Sequence, residues 1–76
     1  MPRYFVDVAQ DGEIYDDYYG MELAGMSAIR KEVEATIREI ASEIVRSGRR
    51  IGESEIRVRN SKGQQVLVLK FRDVVL

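Results

Sequence analysis

Residues 26–47 read MSAIRKEVEATIREIASEIVRS and carry the clearest structural signal in the chain. Their apolar side chains recur at spacings of three and four residues, which is the period of one helix face. These side chains are Met26, Ile29, Val33, Ile37, Ile40 and Ile44, with Ala41 and Val45 beside them. The pattern predicts one long amphipathic helix, with a cap at Gly25 or Ser27 and a left-handed residue at Gly48 just after its end.

A β-hairpin is predicted before this helix. Residues 3–9 are rich in β-branched and aromatic types, which favour a strand. Asp11-Gly12 follows, and this dipeptide is a strong signal for a two-residue hairpin turn. Such a turn pairs Ala9 with Ile14, and the returning strand runs from residue 13 to about residue 16.

A second hairpin is predicted after the helix. Residues 54–59 alternate between apolar and charged types, as in a strand with one buried face. Residues 60–63 form a turn that ends in glycine, and residues 65–72 return as the last strand. The elements together predict a single domain, residues 1–76, of the α+β class. Its order is ββαββ, a four-stranded, mainly antiparallel sheet with one long helix packed on one face.

The stretch between the first hairpin and the helix, residues 16–25, shows no clear period and is predicted to be a loop. Gly20 is a turn residue in this interpretation, and Leu23 enters the core. The loop and the strand before it bring three tyrosines into an acidic stretch: Tyr15, Tyr18 and Tyr19. They form either a recognition surface, since tyrosine is enriched at interfaces, or a patch that packs against the helix. Packing is the favoured alternative.

Composition limits the chemistry that the chain supports. It has neither cysteine nor histidine, which excludes disulfides, thiolate metal sites and histidine-dependent triads. No glycine-rich phosphate loop is present. We therefore expect no enzyme, no catalytic, cofactor-binding or metal residue, and no cofactor. With no cysteine, no signal peptide and no apolar run of about 18 residues, a cytoplasmic protein without a membrane partner is predicted.

Charge is divided unevenly along the chain. The net charge is −1, but residues 1–26 hold six acids against Arg3 alone, and the remainder holds eleven bases against seven acids. This division either favours contacts between molecules or is neutralised within one fold. Neutralisation within the fold is the favoured alternative.

The last strand carries apolar side chains on both faces. Leu67, Leu69 and Phe71 are predicted to face the helix, whereas Val66 and Val68 face the other way. One helix covers one face, so a second copy or another protein is expected to cover the other. Strands one and four are then central, and the charged third strand lies at an edge. The chain is therefore predicted to be a homodimeric interaction or regulatory module. Its predicted interface consists of Val66, Val68, Val74, Val75 and Leu76. The tail, residues 74–76, either extends the last strand or swaps onto a neighbouring molecule.

The second hairpin also suggests an alternative function. Arg57, Arg59, Lys70 and Arg72 are predicted to share the outer sheet face, and two-stranded ribbons can enter a DNA groove. A nucleic-acid-binding, antitoxin-like regulator is therefore the alternative, although a solvated face explains the same residues more simply.

In the first hairpin, Asp7 is predicted to face Asp16, where Ca²⁺ or Mg²⁺ would relieve repulsion between the two carboxylates. A shifted register with ordinary turn aspartates is the favoured explanation there.

Several short motifs resemble a known family. They are the opening Met1-Pro2-Arg3-Tyr4-Phe5, Asp7, the turn Asp11-Gly12, Asp17-x-x-Gly20-x-Glu22-Leu23, Ala28, Arg30, Glu32, Val58-Arg59 and Gly63. With them the chain resembles short, uncharacterised proteins from alphaproteobacteria, a domain of unknown function. The resemblance implies a bacterial cytosolic protein with ββαββ order, and it implies no activity. Ala24-Gly25 stands where Pro-Asp is usual in this family, and Tyr18 and Tyr19 stand where acids are usual.

Overall fold

The elements follow one another in the predicted ββαββ order, with one additional short strand and one additional short helix. The computed structural model describes residues 1–75. Its elements are β1 (Arg3–Gln10), β2 (Glu13–Tyr15), β3 (Met21–Glu22), α1 (Met26–Arg46), β4 (Glu55–Asn60), β5 (Gln65–Lys70) and α2 (Phe71–Val75). The α+β class and the antiparallel sheet under one long helix are confirmed, but the sheet has five strands instead of four.

Helix α1 forms where the apolar spacing predicts it, and its apolar stripe supplies half of the core. The buried side chains of this stripe are Ile29, Val33, Ile37, Ala41 and Ile44. The helix ends in a Schellman motif: the Gly48 amide donates to the Val45 carbonyl and the Arg49 amide to the Ile44 carbonyl. Gly48 takes a φ of 78°, which confirms its predicted left-handed role.

The first hairpin has the predicted register, with Ala9 opposite Ile14 and Val8 opposite Tyr15. Strand β3 was not predicted, because it contains only Met21 and Glu22 and pairs with the start of β1. These two residues are too few to show a period. β2 and β3 therefore lie one after the other along the same side of β1.

The strand order β2-β1-β4-β5 corrects the prediction that the last strand is central. The charged strand β4 lies between β1 and β5, and β5 forms the edge of the sheet. β4 can be central because Ile56 and Val58 are fully buried under the helix. Its outward-facing arginines find carboxylate partners within the chain: Arg57 bonds to Glu55 and Arg59 to Asp7. The charges of a strand therefore do not by themselves mark an edge.

The last strand stops at Lys70, two residues earlier than predicted. Phe71 is fully buried and begins α2, and its amide donates to the Ser54 carbonyl at 3.0 Å. Val74 and Val75 pack against the core from this helix. The prediction that the tail extends the last strand is therefore wrong for these residues, since burial of the Phe71 ring turns the chain into α2. Leu76 lies outside the described residues.

Neither helix of the described chain combines the length and the apolar character needed to cross a membrane.

Replacing Phe71 by alanine tests whether α2 is an integral part of the core. Removal of a fully buried ring is expected to lower the free energy of unfolding by about 3–5 kcal/mol. Urea unfolding followed by circular dichroism measures this loss. Arg72→Ala, an exposed position in the same helix, is the control and should change stability little. Equal effects of the two substitutions would contradict this description of α2.

Candidate interaction surface

The loop of residues 16–20, called here the tyrosine loop, follows the side of β1 between β2 and β3. No strand pairs with β1 at this point, and the carboxylate of Asp17 takes the place of one. Its Oδ2 atom accepts the Val6 amide at 3.0 Å. Its Oδ1 atom accepts the amides of Tyr19 and Gly20, each at 3.0 Å. One side chain thus both satisfies a strand amide and shapes the loop.

An ion pair between a buried carboxylate and a partly exposed arginine lies next to this loop on the outer face of the sheet. Asp7 is only 8% exposed, and its carboxylate accepts the Nε and NH2 groups of Arg59 at 2.8 and 3.2 Å. The same carboxylate accepts the Asp17 amide at 2.8 Å, and Arg59 donates to the Asp17 carbonyl at 3.0 Å. The Arg59 guanidinium also lies over the Phe5 ring, 4.8 Å from its centroid. These contacts connect β1, β4 and the tyrosine loop.

The pKa values follow from these contacts. Burial raises the pKa of Asp17, but the amides of Gly20, Val6 and Tyr19, together with Arg59, outweigh it and lower the pKa overall. The hydrogen bond from Arg59 to Asp7 raises the pKa of the Arg59 guanidinium. Asp17 is therefore held as a carboxylate and Arg59 as a cation at neutral pH.

Gly20 closes the tyrosine loop against β1. It takes a φ of 71°, and a Cβ atom at this position would lie 2.8 Å from the Tyr4 carbonyl oxygen. Arg3 fixes the same end of the loop, since its NH1 group donates to the Tyr19 carbonyl at 2.7 Å and its NH2 group to Glu22 at 3.0 Å. The C-terminal end of the loop is thus held against β1.

The tyrosines themselves point away from this network. Tyr18 and Tyr19 are 81% and 86% exposed, and Tyr15 is 56% exposed. The favoured prediction that they pack against the helix is wrong, because the hydrogen bonds of Asp17 and Arg3 fix the loop to β1 instead. The tyrosine loop therefore presents two neighbouring aromatic side chains to solvent on a backbone with a defined conformation.

The predicted nucleic-acid residues do not form one free basic patch. Arg57 bonds to Glu55 at 2.6 Å, Arg59 is part of the Asp7 network, and Lys70 lies on the outer face opposite Glu55. Arg72 is not on the sheet face as predicted, because it lies in α2, where it bonds to Glu53 at 3.1 Å. Moreover, β4 pairs with β1, so the second hairpin is not a separate two-stranded ribbon.

The predicted repulsion between Asp7 and Asp16 does not occur. The ladder between β1 and β2 ends at the pair of Val8 and Tyr15, so Asp16 does not stand opposite Asp7. Arg59 supplies the positive charge that the Asp7 carboxylate requires. Within residues 1–75, no group of three or more acidic side chains is arranged to hold a metal ion.

Four of the five predicted interface residues lie on β5 and α2, and the fifth, Leu76, lies outside the described residues. Val68 is 38% exposed on the outer face, opposite Arg57, as predicted. Val66 was expected beside it but packs against the core cluster. The reason is a β-bulge: Val58 pairs with Leu67 and Arg59 with Gln65, which leaves Val66 without a partner and redirects its side chain.

An apolar groove of about 560 Å³ lies between α1 and α2. Val74 and Val75 line it together with Ile51 and Val45, and Val45 is 62% exposed. Because α2 continues directly from β5, the groove begins where the edge strand ends. The predicted residues Val68, Val74 and Val75 therefore lie on two consecutive elements, called here the β5 side of the molecule.

Sequence reasoning missed the roles of Arg3, Asp17 and Gly20 in fixing the tyrosine loop. The only signal was the stretch Asp17-x-x-Gly20, in which a turn aspartate precedes a glycine. That stretch predicts a turn, but it does not identify the Val6 amide as the partner of Asp17, eleven residues away.

Comparison with known proteins gives one match. A family model described as Domain of unknown function (DUF6894) matches residues 3–72. No curated protein matches the chain, and no solved structure does. The matched range contains the whole Asp7, Asp17 and Arg59 network as well as β5.

Gly20→Ala tests the closure of the tyrosine loop, with Gly63→Ala as its matched control. Both glycines have a left-handed φ, which costs an alanine about 1–2 kcal/mol. Only Gly20 would place its new methyl group against backbone, whereas nothing lies within 4 Å at Gly63. Gly20→Ala should therefore lower the free energy of unfolding clearly more than Gly63→Ala does. Equal losses in urea unfolding would contradict the close contact with β1.

Asp17→Asn tests the charge of the Asp17 carboxylate. The pKa of this group lies below its ordinary value of 3.8 in the folded chain, so its stabilisation is fully present above pH 3.8 and is lost as the pH falls below 3.8 through the lower pKa of the folded chain. Near pH 7 the substitution should cost about 1–2 kcal/mol of unfolding free energy, since charged hydrogen bonds are lost. The gap between variant and wild type should narrow towards pH 3 in urea titrations, whereas a gap independent of pH would contradict this role.

Proposed function

We propose that this chain, which belongs to the family described as Domain of unknown function (DUF6894), is a small, non-enzymatic protein-interaction module that forms a homodimer. The observation that carries the proposal is the open apolar edge of β5. The bacterial cytoplasm is the proposed setting, because the opening motif resembles alphaproteobacterial proteins and the chain has no cysteine.

Apart from the bulge at Val66, strand β5 carries little of the usual protection of an edge. Its central residues, Val66 to Leu69, are all apolar, and neither a proline nor a charge interrupts them. In the described chain, their backbone groups bond to nothing outside the ladder with β4. An apolar edge with free backbone groups is a template for pairing with another chain. Pairing would satisfy those groups and remove Val68 from water.

The groove between α1 and α2 extends this surface. Val45, Val74 and Val75 line the groove, and Val45 is 62% exposed. A stable dimer buries about 800 Å² on each partner, which is more than a short strand alone supplies. The groove adds apolar area on α2, the element that follows β5.

The tyrosine loop gives the module a second surface for a protein partner. Tyrosine supplies a large contact area and loses little side-chain freedom on binding. The hydrogen bonds of Asp17 and Arg3 order the loop backbone before any partner binds, which lowers the entropic cost of association. Tyr18 and Tyr19 therefore have the chemistry of a recognition element.

Nucleic-acid binding through the second hairpin stays a prediction that we do not propose. Arg57, Arg59 and Arg72 already bond to carboxylates, so they do not offer free charges to phosphates.

Sedimentation equilibrium of the wild type, Val68→Glu and Ile14→Glu tests the dimer. The wild type should reach twice the chain mass of 8.7 kDa, whereas Val68→Glu should stay at that mass because a charge would have to be buried at the interface. Val68 lies opposite Arg57, so a carboxylate there finds a partner within the chain, and folding is expected to survive. Circular dichroism checks this.

Ile14→Glu is the matched control for this experiment. Ile14 is apolar and 55% exposed, but it lies on β2 at the opposite edge of the sheet. The dimer should persist in this variant. A wild type that sediments as a folded monomer at every concentration, or two variants that lose the dimer alike, would overturn the proposed homodimer on the β5 side.

A further inference from the structure

We infer that β5 pairs antiparallel with β5 of a second copy, with Val68 opposite Val68 at the centre of the pair. This inference rests on the proposed homodimer and names the contact that forms it. The two sheets then become one continuous sheet, with both long helices on the same face. Three features of β5 select this arrangement: the side on which each residue points, the bulge at Val66, and the positions of its polar ends.

The side-chain directions decide which residues can be opposite one another. Residues directly opposite in an antiparallel pair point to the same side of the sheet. Leu67 and Leu69 pair with Val58 and Ile56, which are buried under the helix, whereas Val68 and Lys70 point to the outer face. Because both helices lie on one face, Leu67 must meet a leucine of the second copy, and Val68 must meet a residue that also points to the outer face.

An arrangement with the helices on different faces is not open to an antiparallel pair of β5 strands. Such a pair relates the two copies by a two-fold axis perpendicular to the sheet, which keeps both helices on the same face. Helices on different faces would require the two β5 strands to run parallel. In the chosen arrangement, Lys70 stays on the outer face with the other charged side chains, where Glu55 is its neighbour on β4.

The bulge fixes the centre of the pair. A pair centred on Leu67 would need Val66 to continue a regular ladder and would place polar Gln65 opposite Leu69. Val66 is the unpaired residue of the bulge and its side chain packs against the core. A pair centred on Val68 instead matches Leu67 with Leu69 of the second copy, twice by symmetry. Every side chain in this central ladder is then apolar, and the bulge and Lys70 mark its ends.

Single-cysteine variants test this register, because the chain contains no cysteine of its own. Directly opposite Cβ atoms lie about 4.5–5.5 Å apart, close to the spacing of a disulfide. Val68→Cys should therefore oxidise to a covalent dimer with itself many-fold faster than Ile14→Cys, the exposed control on β2. Both are measured under mild oxidation on non-reducing gels, after sedimentation shows that the reduced variants assemble as the wild type does.

Amide hydrogen exchange of the unmodified chain gives a second readout. An edge strand leaves every other amide open to solvent, and pairing on its free side protects those amides too. The exchange of residues 66–70 should slow in the dimer and recover on dilution, while the amides of β2 stay unchanged.

The outcomes separate the inference from the proposal on which it rests. If the wild type never dimerises, both fail. If it dimerises, but Val68→Cys oxidises no faster than Ile14→Cys and the amides of β5 exchange as in the monomer, the homodimer stands and the edge-to-edge pairing is wrong. Fast oxidation of Val68→Cys together with protected β5 amides supports the inferred register.

Discussion

The ion pair between Asp7 and Arg59 is the interaction on which the outer half of the structure depends. A carboxylate that is 8% exposed needs a positive partner and full hydrogen bonding, since burying an unpaired charge is costly. Arg59 supplies the positive charge and two hydrogen bonds from the neighbouring strand, and the Asp17 amide supplies a third. Arg59 also donates to the backbone of the tyrosine loop. The pair therefore joins β1 to β4 and gives the loop a fixed place beside β1, where Asp17 completes the bonding of the strand.

The sequence predicts the elements of this fold better than their arrangement. The spacing from Met26 to Ile44 and the Asp11-Gly12 turn are local signals, and both the helix and the first hairpin formed as predicted. Strand order depends on which arginine finds which carboxylate in space. The charges of β4 suggested an edge because their partners, Glu55 and Asp7, could not be assigned from the pattern alone. The end of β5 was misplaced for a related reason: alternation continues through Phe71, but burial of its ring under α1 turns the chain.

Only part of the candidate surface could be predicted, because alternation determines the face of a residue in a regular strand but does not reveal long-range contacts. Val68 was expected to be exposed because alternation alone determines its face, whereas Val66 was misplaced by a bulge that has no sequence signal of its own. The exposure of Tyr18 and Tyr19 depends on Asp17, whose partner Val6 is remote in sequence. Local patterns thus predict the direction of a side chain within a regular strand, but they fail where one long-range hydrogen bond decides the conformation.

The two edges of the sheet are built differently, and this limits how large an assembly can become. On one side of the sheet, β1 is covered by the short strands β2 and β3, of three and two residues, and the Asp17 carboxylate lies between them. This side therefore has no continuous strand edge with which another chain could pair. Only β5 offers one. A molecule with one open sheet edge cannot pair with a further strand once that edge is occupied. Growth by strand addition would therefore stop at two copies, so a strand as apolar as β5 need not lead to fibres.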